Sequence, residues 1–222
     1  MAKKTKAHQI YRDRDGNIVP GVSTVVNTMD KPFLVPWANK LGLQGIDVSK
    51  YVDDLAEVGT VTHKFCEWDL LGQQPDEEYL AEFSKDVRDR AETCFLKFLD
   101  FRKDLDFHPL LLEAQLVHKT LGFGGTCDMY GIMGGRAVLI DIKTAKEIYG
   151  QGDTKFTQTA GYKLLLEDEG HKVDDCCILR LGRSEDEGYE FIRGTRMDDH
   201  EERFKICLDL YKINKVLSRR GD

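Results

Sequence analysis

The spacing of apolar residues divides the chain into a helical first half and a mixed second half. Apolar positions recur at helical spacing over residues 52–71 and 76–107, which predicts two long helices. We expect an interruption of the first helix at Gly59-Thr60, and we expect Pro109 to end the second.

The second half combines short β-prone runs with two further helices. Strands are predicted at residues 110–119, 124–133, 137–144, 173–181 and 189–193. Helices are predicted at residues 154–168 and 198–217. From residue 76 the predicted order is therefore helix, three strands in a meander, helix and strand, with extra elements at both ends.

Smaller elements are predicted before residue 50. Asp15-Gly16 lies between two β-prone runs and indicates a hairpin over residues 9–19. Ser23-Thr24 can cap a short helix, and Pro36 fits the first turn of another that ends near residue 42 or 45.

Length and composition indicate one elaborated domain. The chain has 222 residues, of which 41% are hydrophobic and 32% charged, which excludes a disordered or low-complexity protein. We expect a single domain over residues 1–222, with N-terminal elements at 9–72, a core at 76–182 and a C-terminal strand and helix at 184–222. No apolar run is long enough to span a membrane, and the basic start has no apolar stretch behind it, so neither a membrane protein nor a secreted protein is expected.

The cysteines and the net charge indicate the redox environment of the protein and limit how it can bind a polyanion. The six cysteines are scattered without a C-x-x-C motif, which favours a reduced, cytoplasmic protein. The net charge of −7 gives no general attraction for polyanions, so such a partner must be held by metal ions or by a local patch. One basic cluster lies near the C-terminus, and it consists of Arg203, Lys205, Lys212, Lys215, Arg219 and Arg220.

The residues most suggestive of chemistry lie on the second and third strands of the meander. Asp141 and Lys143 are two apart, so they project from the same face of their strand, and Asp128 on the neighbouring strand can supply a second carboxylate. Converging carboxylates suit Mg²⁺ or Mn²⁺. An exposed cross-strand ion pair is the alternative, because D-x-K is a short and common pattern. Gln158 and Tyr162 are four apart and share a face of the following helix.

Taken in order, these motifs resemble those of a known nuclease superfamily. Asp128, then Asp141-Ile142-Lys143-Thr144, then the Q-x-x-x-Y of residues 158–162 resemble the PD-(D/E)XK nucleases, specifically their RecB-type exonuclease branch. The segment Gly59-Thr60-Val61-Thr62-His63 resembles the histidine motif of that branch, and residues 20–26 with Pro36-Trp37 are similar to the start of small phage-type and mitochondrial-genome-maintenance exonucleases. The chain lacks the proline that gives the family its name before Asp128.

The resemblance implies a fold and a metal site. The fold would be α/β, with a restriction-endonuclease-like αβββαβ core, a mixed sheet flanked by helices, and helical additions at both ends. His63, Asp128 and Asp141 would bind Mg²⁺ or Mn²⁺, with the carbonyl of Ile142 as a fourth ligand. Glu113 occupies a position where many relatives carry an acid, although a structural salt bridge explains it as well.

The resemblance also implies roles for three other residues. Lys143 would position or activate the attacking water, while Gln158 and Tyr162 would fix Lys143 and contact the DNA backbone.

Some relatives hold an iron–sulfur cluster through one early and three late, closely spaced cysteines. No cluster is expected here, because the late cysteines Cys176, Cys177 and Cys207 lack that spacing.

The implied function is a metal-dependent DNA exonuclease that hydrolyses phosphodiester bonds at single-stranded or frayed ends. Phage or prophage recombination and DNA repair are the expected settings, with a recombinase or a single-strand-binding protein as candidate partners. A structure-specific endonuclease and a non-catalytic DNA-end-binding module are the alternatives. We also expect Phe33, Trp37, Lys40 and the C-terminal basic cluster to line a passage through which a strand threads.

Overall fold

The computed structural model describes residues 9–103, 105–148, 150 and 153–219. The strands are β1 (Tyr11–Arg12), β2 (Ile18–Val19), β3 (Phe107–Val117), β4 (Gly124–Met133), β5 (Arg136–Thr144), β6 (Asp175–Leu181) and β7 (Tyr189–Arg193). The helices are α1 (Val22–Val26), α2 (Leu34–Leu43), α3 (Val48–Leu71), α4 (Glu77–Leu80), α5 (Lys85–Arg102), α6 (Thr154–Asp168) and α7 (Met197–Arg219).

A mixed five-stranded sheet carries the fold, with its strands in the order β3-β4-β5-β6-β7. β5 and β6 are parallel, and the other neighbouring strands are antiparallel. Because parallel strands need a long connection, the chain passes through α6 between β5 and β6. The predicted α/β class and the order helix, three strands, helix, strand are confirmed from α5 to β6.

Both faces of the sheet are covered by helices. One apolar cluster joins α3 and α5 to the face that carries Val138, Ile140 and Leu179. The other joins α1, α6 and α7 to the opposite face, where Leu139 and Cys176 point. Alternation along β5 therefore separates the two cores, as expected for a strand buried on both sides.

The helix predicted over residues 76–107 is wrong in its extent. The segment forms two helices, α4 and α5, because the side chain of Ser84 accepts a hydrogen bond from the Val87 amide and starts a new helix there. α5 ends at Arg102, well before Pro109. Pro109 instead lies in β3, where an edge strand and a register shift tolerate the missing N–H donor.

The expected interruption at Gly59-Thr60 is also wrong, since α3 runs without a break across both residues. Ser23 is not the cap of α1: the helix begins after Gly21, with Ser23 inside it and no side-chain cap. The hairpin of β1 and β2, the three-stranded meander, α6 and β7 lie where the pattern predicts them.

The cysteines and the helices bear on the expectations of reduced thiols and of no membrane span. All six cysteines lie in the described part of the chain, where each is buried and outside any disulfide. Among the described helices, none combines the length and the apolar character that crossing a bilayer requires. Residues 1–8, the basic start of the chain, lie outside the described residues.

Candidate active site

The site is created where β4 and β5 separate. Their paired register ends at Met129 and Ile140, one residue before each strand reaches its aspartate. Beyond that point the Asp128 side chain takes the place of a backbone acceptor of β4. Its Oδ2 accepts a hydrogen bond of 2.7 Å from the Ile142 amide of β5. A carboxylate therefore lies between the two strands, and its other oxygen is available to the space beside them.

The same position breaks the alternation of side chains on both β3 and β4. Cys127 packs on the α6 side of the sheet whereas Met129 packs on the α3 side, although residues two apart on a regular strand share one face. On β3, Glu113 has a φ of 45° and lies in the left-handed region that non-glycine residues rarely occupy. The distortion places Glu113 and Asp128 together in one cleft.

Three potential ligand side chains converge at this distortion. His63 comes from the middle of α3, and its Nδ1 lies 3.3 Å from Glu113 Oε1 and 3.5 Å from Asp128 Oδ1. One ligand atom from each of the three residues lies within 4.8 Å of the others. Asp128 is buried, with 8% of its surface exposed, whereas His63 and Glu113 are partly open to the cleft.

The charges of this cluster favour a cation between the carboxylates. Burial opposes protonation of His63, but the Asp128 and Glu113 carboxylates outweigh it and raise the pKa of the imidazole to about 9. The imidazolium proton thus balances negative charge that burial leaves poorly solvated. A divalent cation would satisfy the same oxygens, with His63 turned from a hydrogen-bond donor into a ligand.

Asp141 and Lys143 form an ion pair beside the cluster. Lys143 Nζ lies 2.8 Å from Asp141 Oδ1 and 2.7 Å from Oδ2, and Asp141 is only 1% exposed. Burial, with help from Asp128, raises the pKa of Asp141 to about 6, although Lys143 acts in the opposite direction. Asp141 Oδ2 has no hydrogen bond of acceptable geometry, so a buried oxygen keeps unused bonding capacity at this place.

Gln158 and Tyr162 lie on the opposite wall of the cleft. Gln158 Nε2 donates to Tyr162 Oη at 2.9 Å and to Ser23 Oγ at 3.1 Å. Among the contacts of the described residues, no hydrogen bond joins Gln158 to Lys143, and the role of Gln158 and Tyr162 in fixing this lysine stays a prediction. Ser23, from α1, holds the glutamine instead.

These elements enclose a cleft of about 830 Å³. Helix α3 supplies one wall, the ends of β3, β4 and β5 supply the floor, and α1, α6 and the N-terminal hairpin supply the other side. The residues that line it are Gln9, Tyr11, Ser23, Leu55, Ala56, Gly59, Thr60, His63, Lys64, Glu67, Tyr79, Glu113, Gln115, Thr126, Asp128, Ile142, Lys143, Thr144, Gln158 and Tyr162.

Most candidate residues from the sequence meet in this cleft. His63, Glu113, Asp128, Ile142, Lys143, Gln158 and Tyr162 line it, with Asp141 buried directly behind Lys143. The structure and the sequence differ in which acids lie closest to His63. Glu113 belongs to the tight three-residue cluster, whereas Asp141 lies outside it and pairs with Lys143.

The predicted lining of a threading passage is not found in this cleft. Phe33 is 62% exposed and Trp37 packs against Tyr51, and neither they nor Lys40 line the cleft. No described side chain of α7 lines it either, and Arg203 is instead bound to Thr157 Oγ1. Arg220 lies outside the described residues. Tyr11, Thr126 and Ser23 line the cleft instead, and no motif in the sequence marks the first two.

The donor set fits a hard divalent cation. It offers imidazole nitrogen and carboxylate oxygen and no thiolate within the cluster, which suits Mg²⁺ or Mn²⁺. Asp141 Oδ2, which lacks a hydrogen bond of acceptable geometry, and the Glu113 and Asp128 oxygens beside His63 are the atoms that such an ion would bind.

Comparisons with known proteins give only remote likenesses. No family model matches the chain, and no curated protein does. Among solved structures, SSO0001 is 10% identical over 69% of this chain and 74% of its own, with a TM-score of 0.35. An alkaline exonuclease from Laribacter hongkongensis, LHK-Exo, is 15% identical over 75% of this chain and 90% of its own, with a TM-score of 0.33. LHK-Exo in complex with dAMP is 16% identical over 76% and 90%, with a TM-score of 0.36. Scores this low carry no argument about activity.

Proposed function

We propose that this chain is a metal-dependent nuclease that hydrolyses phosphodiester bonds of DNA, acting as an exonuclease on single-stranded or frayed ends. One observation carries the proposal: a histidine and two carboxylates converge within 4.8 Å, directly beside a buried Asp141–Lys143 pair, on the floor of an 830 Å³ cleft. A purely structural ion pair does not need this cleft or this number of convergent acids.

The residues that would hold Mg²⁺ or Mn²⁺ are His63, Asp128 and Asp141, with Glu113 as a further ligand and the Ile142 carbonyl as another. When bound, the ion would supply a hydroxide-like nucleophile from water and neutralise charge on the scissile phosphate. Asp128 would contribute one oxygen to the ion while its second oxygen stays on the Ile142 amide, which fixes its orientation.

Lys143 would provide the fixed positive charge of the reaction. Its ammonium is held by Asp141 and lines the cleft, so it can hold the attacking water and balance negative charge that develops on the phosphate. Tyr162, whose phenol accepts a hydrogen bond from Gln158 and keeps its own O–H, can donate to the backbone of the strand, and Gln158, held by Ser23, would position it. These groups recognise phosphate and sugar rather than base sequence.

Nuclease assays test the proposal directly. End-labelled and internally labelled DNA, single- and double-stranded, linear and circular, would be incubated with Mg²⁺, Mn²⁺ or EDTA. We expect hydrolysis of linear single strands with either metal and none with EDTA. Efficient cutting of closed circles would favour the endonuclease alternative, and binding without cutting under every condition would favour the end-binding module.

Metal binding gives an independent measurement. Titration calorimetry with Mn²⁺ should show binding by the wild-type protein and a large loss in His63→Ala. His108→Ala is the matched control, because His108 is an exposed histidine on β3 that pairs only with Asp106 among the described residues. Equal Mn²⁺ affinity in the wild type and His63→Ala would remove His63 from the proposed ligand set.

The proposed setting is DNA recombination or repair. A recombinase or a single-strand-binding protein is the class of partner to test, because either would present single-stranded ends to the cleft.

A further inference from the structure

The hairpin of β1 and β2 forms an end wall of the cleft. Tyr11 Oη lies 2.9 Å from Thr126 Oγ1, and Gln9 Nε2 donates to Gln115 Oε1 at 3.2 Å. The Tyr11 side chain lies directly on Gly124, where an added Cβ would come within 2.6 Å of the tyrosine Cβ. The absence of a side chain at Gly124 is therefore what allows the hairpin to rest on the floor of the cleft.

The distance between this wall and the candidate metal cluster is set by the sheet. Gln115 and Thr126 are direct partners across β3 and β4. On β3, Gln115 is two residues from Glu113, and on β4, Thr126 is two residues from Asp128. Two residues correspond to about 6.6 Å along a strand. A nucleotide contains as many backbone bonds as a dipeptide, so an extended nucleic acid strand advances by a similar distance per nucleotide. The space between the cluster and the wall therefore accommodates a single nucleotide.

The chemistry of the wall matches a nucleoside better than a further phosphate. Burial raises the pKa of the Tyr11 phenol, and the nearby Glu113 and Asp128 carboxylates raise it further, so the phenol remains neutral. Gln9, Gln115 and Thr126 are neutral as well. This end of the cleft thus offers an aromatic ring and uncharged hydrogen-bonding groups, which suit stacking and contacts to a base or sugar.

We propose that Tyr11 is a specificity-determining residue that stops the strand one nucleotide beyond the scissile phosphate, so that the enzyme releases mononucleotides from an end. This inference rests on the proposed nuclease function and deepens it. The hairpin, rather than a closed passage around the strand, accounts for the requirement for a free end.

The products of the wild-type protein provide the first test. Single-stranded DNA labelled at either end would be digested with Mn²⁺ and sampled before a tenth of it is consumed, with products separated by length. We expect mononucleotides as the earliest product and no cleavage at an end whose terminal base carries biotin bound to streptavidin. Dinucleotides or longer fragments as the earliest products would overturn the inference but leave the nuclease proposal intact. A lack of cleavage of every substrate would instead refute the nuclease proposal.

Variants of Tyr11 separate the wall from simple packing. Tyr11→Ala removes the ring and should increase the share of longer products several-fold and allow attack on single-stranded circles. Tyr11→Phe keeps the ring and loses only the bond to Thr126, so its products should remain mononucleotides. Circular dichroism would establish that both variants fold.

If Tyr11→Ala does not fold, Gln9→Ala combined with Gln115→Ala loosens the wall without removing the ring. This double variant should shift the products in the same direction, although less. Wild-type product lengths in Tyr11→Ala, or in the double variant if it replaces Tyr11→Ala, would contradict the role assigned to the hairpin.

Discussion

The two ends of the β4–β5 pair differ in their backbone pairing and in the side chains that they carry. From Met129 to Met133, β4 pairs continuously with β5, and the side chains alternate between two apolar clusters. From Asp128 back to Gly124 the pairing with β5 is lost, and acidic and polar side chains occupy the gap. One end is stabilised by backbone hydrogen bonds and apolar burial, and the other holds charge in a cleft.

The difference is energetic as well as geometric. At the paired end, each buried residue contributes to stability through transfer from water and close packing. At the open end, Asp141 Oδ2 is buried without a hydrogen bond of acceptable geometry, and Glu113 adopts a strained backbone conformation. Such features lower stability locally, and proteins retain them mainly where they serve a site. Mutations at the two ends should therefore separate activity from stability.

The largest effect is expected from Asp128→Asn at the open end. Asparagine keeps an oxygen for the Ile142 amide but loses the negative charge, so cleavage should fall on the order of 1,000-fold while the fold is retained. Cleavage rates with saturating Mn²⁺ and a thermal melt would measure both properties. Cleavage at the wild-type rate would disprove the role of Asp128.

Leu139→Ala tests the paired end. Leu139 is fully buried opposite Tyr130, and its truncation should lower the free energy of unfolding by about 3 kcal/mol. Cleavage per folded molecule should not change, because Leu139 packs on the far side of the sheet from α3 and His63. Urea denaturation would measure the free energy of unfolding, and cleavage assays at low temperature would measure the activity of the folded variant. A large loss of activity with little loss of stability would show that the two ends are not independent.

The sequence predicted the backbone structure of the paired end well and that of the open end poorly. Apolar runs and turn residues located the meander and α6, because these depend on local pattern. Order and spacing of motifs also selected the residues that meet in the cleft. Their roles as ligands and catalysts stay predictions.

The remainder depends on contacts that no local pattern encodes. The positive φ of Glu113 and the broken alternation at Asp128 arise only when β3 and β4 pair beside α3. Tyr11 is likewise unmarked in the sequence, since its position depends on the hairpin resting on Gly124. A continuous α3 was missed because Gly59 suggests a break on propensity alone, whereas packing against the sheet keeps the helix intact.

Glu113→Gly should have opposite effects on stability and activity. A left-handed backbone costs a side-chain-bearing residue about 1 to 2 kcal/mol, which glycine avoids, although glycine also loses more entropy on folding. We expect a net gain of about 0.5 kcal/mol in stability together with an approximately tenfold weaker affinity for Mn²⁺. Glu113→Gln is the control, because it removes the charge but keeps the strained backbone. The control should lose affinity without gaining stability, and a stability gain in both variants would show that charge, not backbone strain, is the cause.

The smallest effect is expected at Gly59, one helical turn before His63. A Cβ at this position would meet only Thr144 Oγ1, at 3.4 Å, which is ordinary contact. Gly59→Ala should therefore increase stability by about 0.5 to 1 kcal/mol through helix propensity and leave cleavage unchanged. Gly59→Leu would place a much larger side chain against Thr144 at the end of β5, and we expect it to move the helix, displace His63 from Glu113 and Asp128, and weaken Mn²⁺ binding. Calorimetry and thermal melts on both variants measure these outcomes. Normal Mn²⁺ binding by Gly59→Leu would mean that the position of α3 against β5 does not control the ligand cluster.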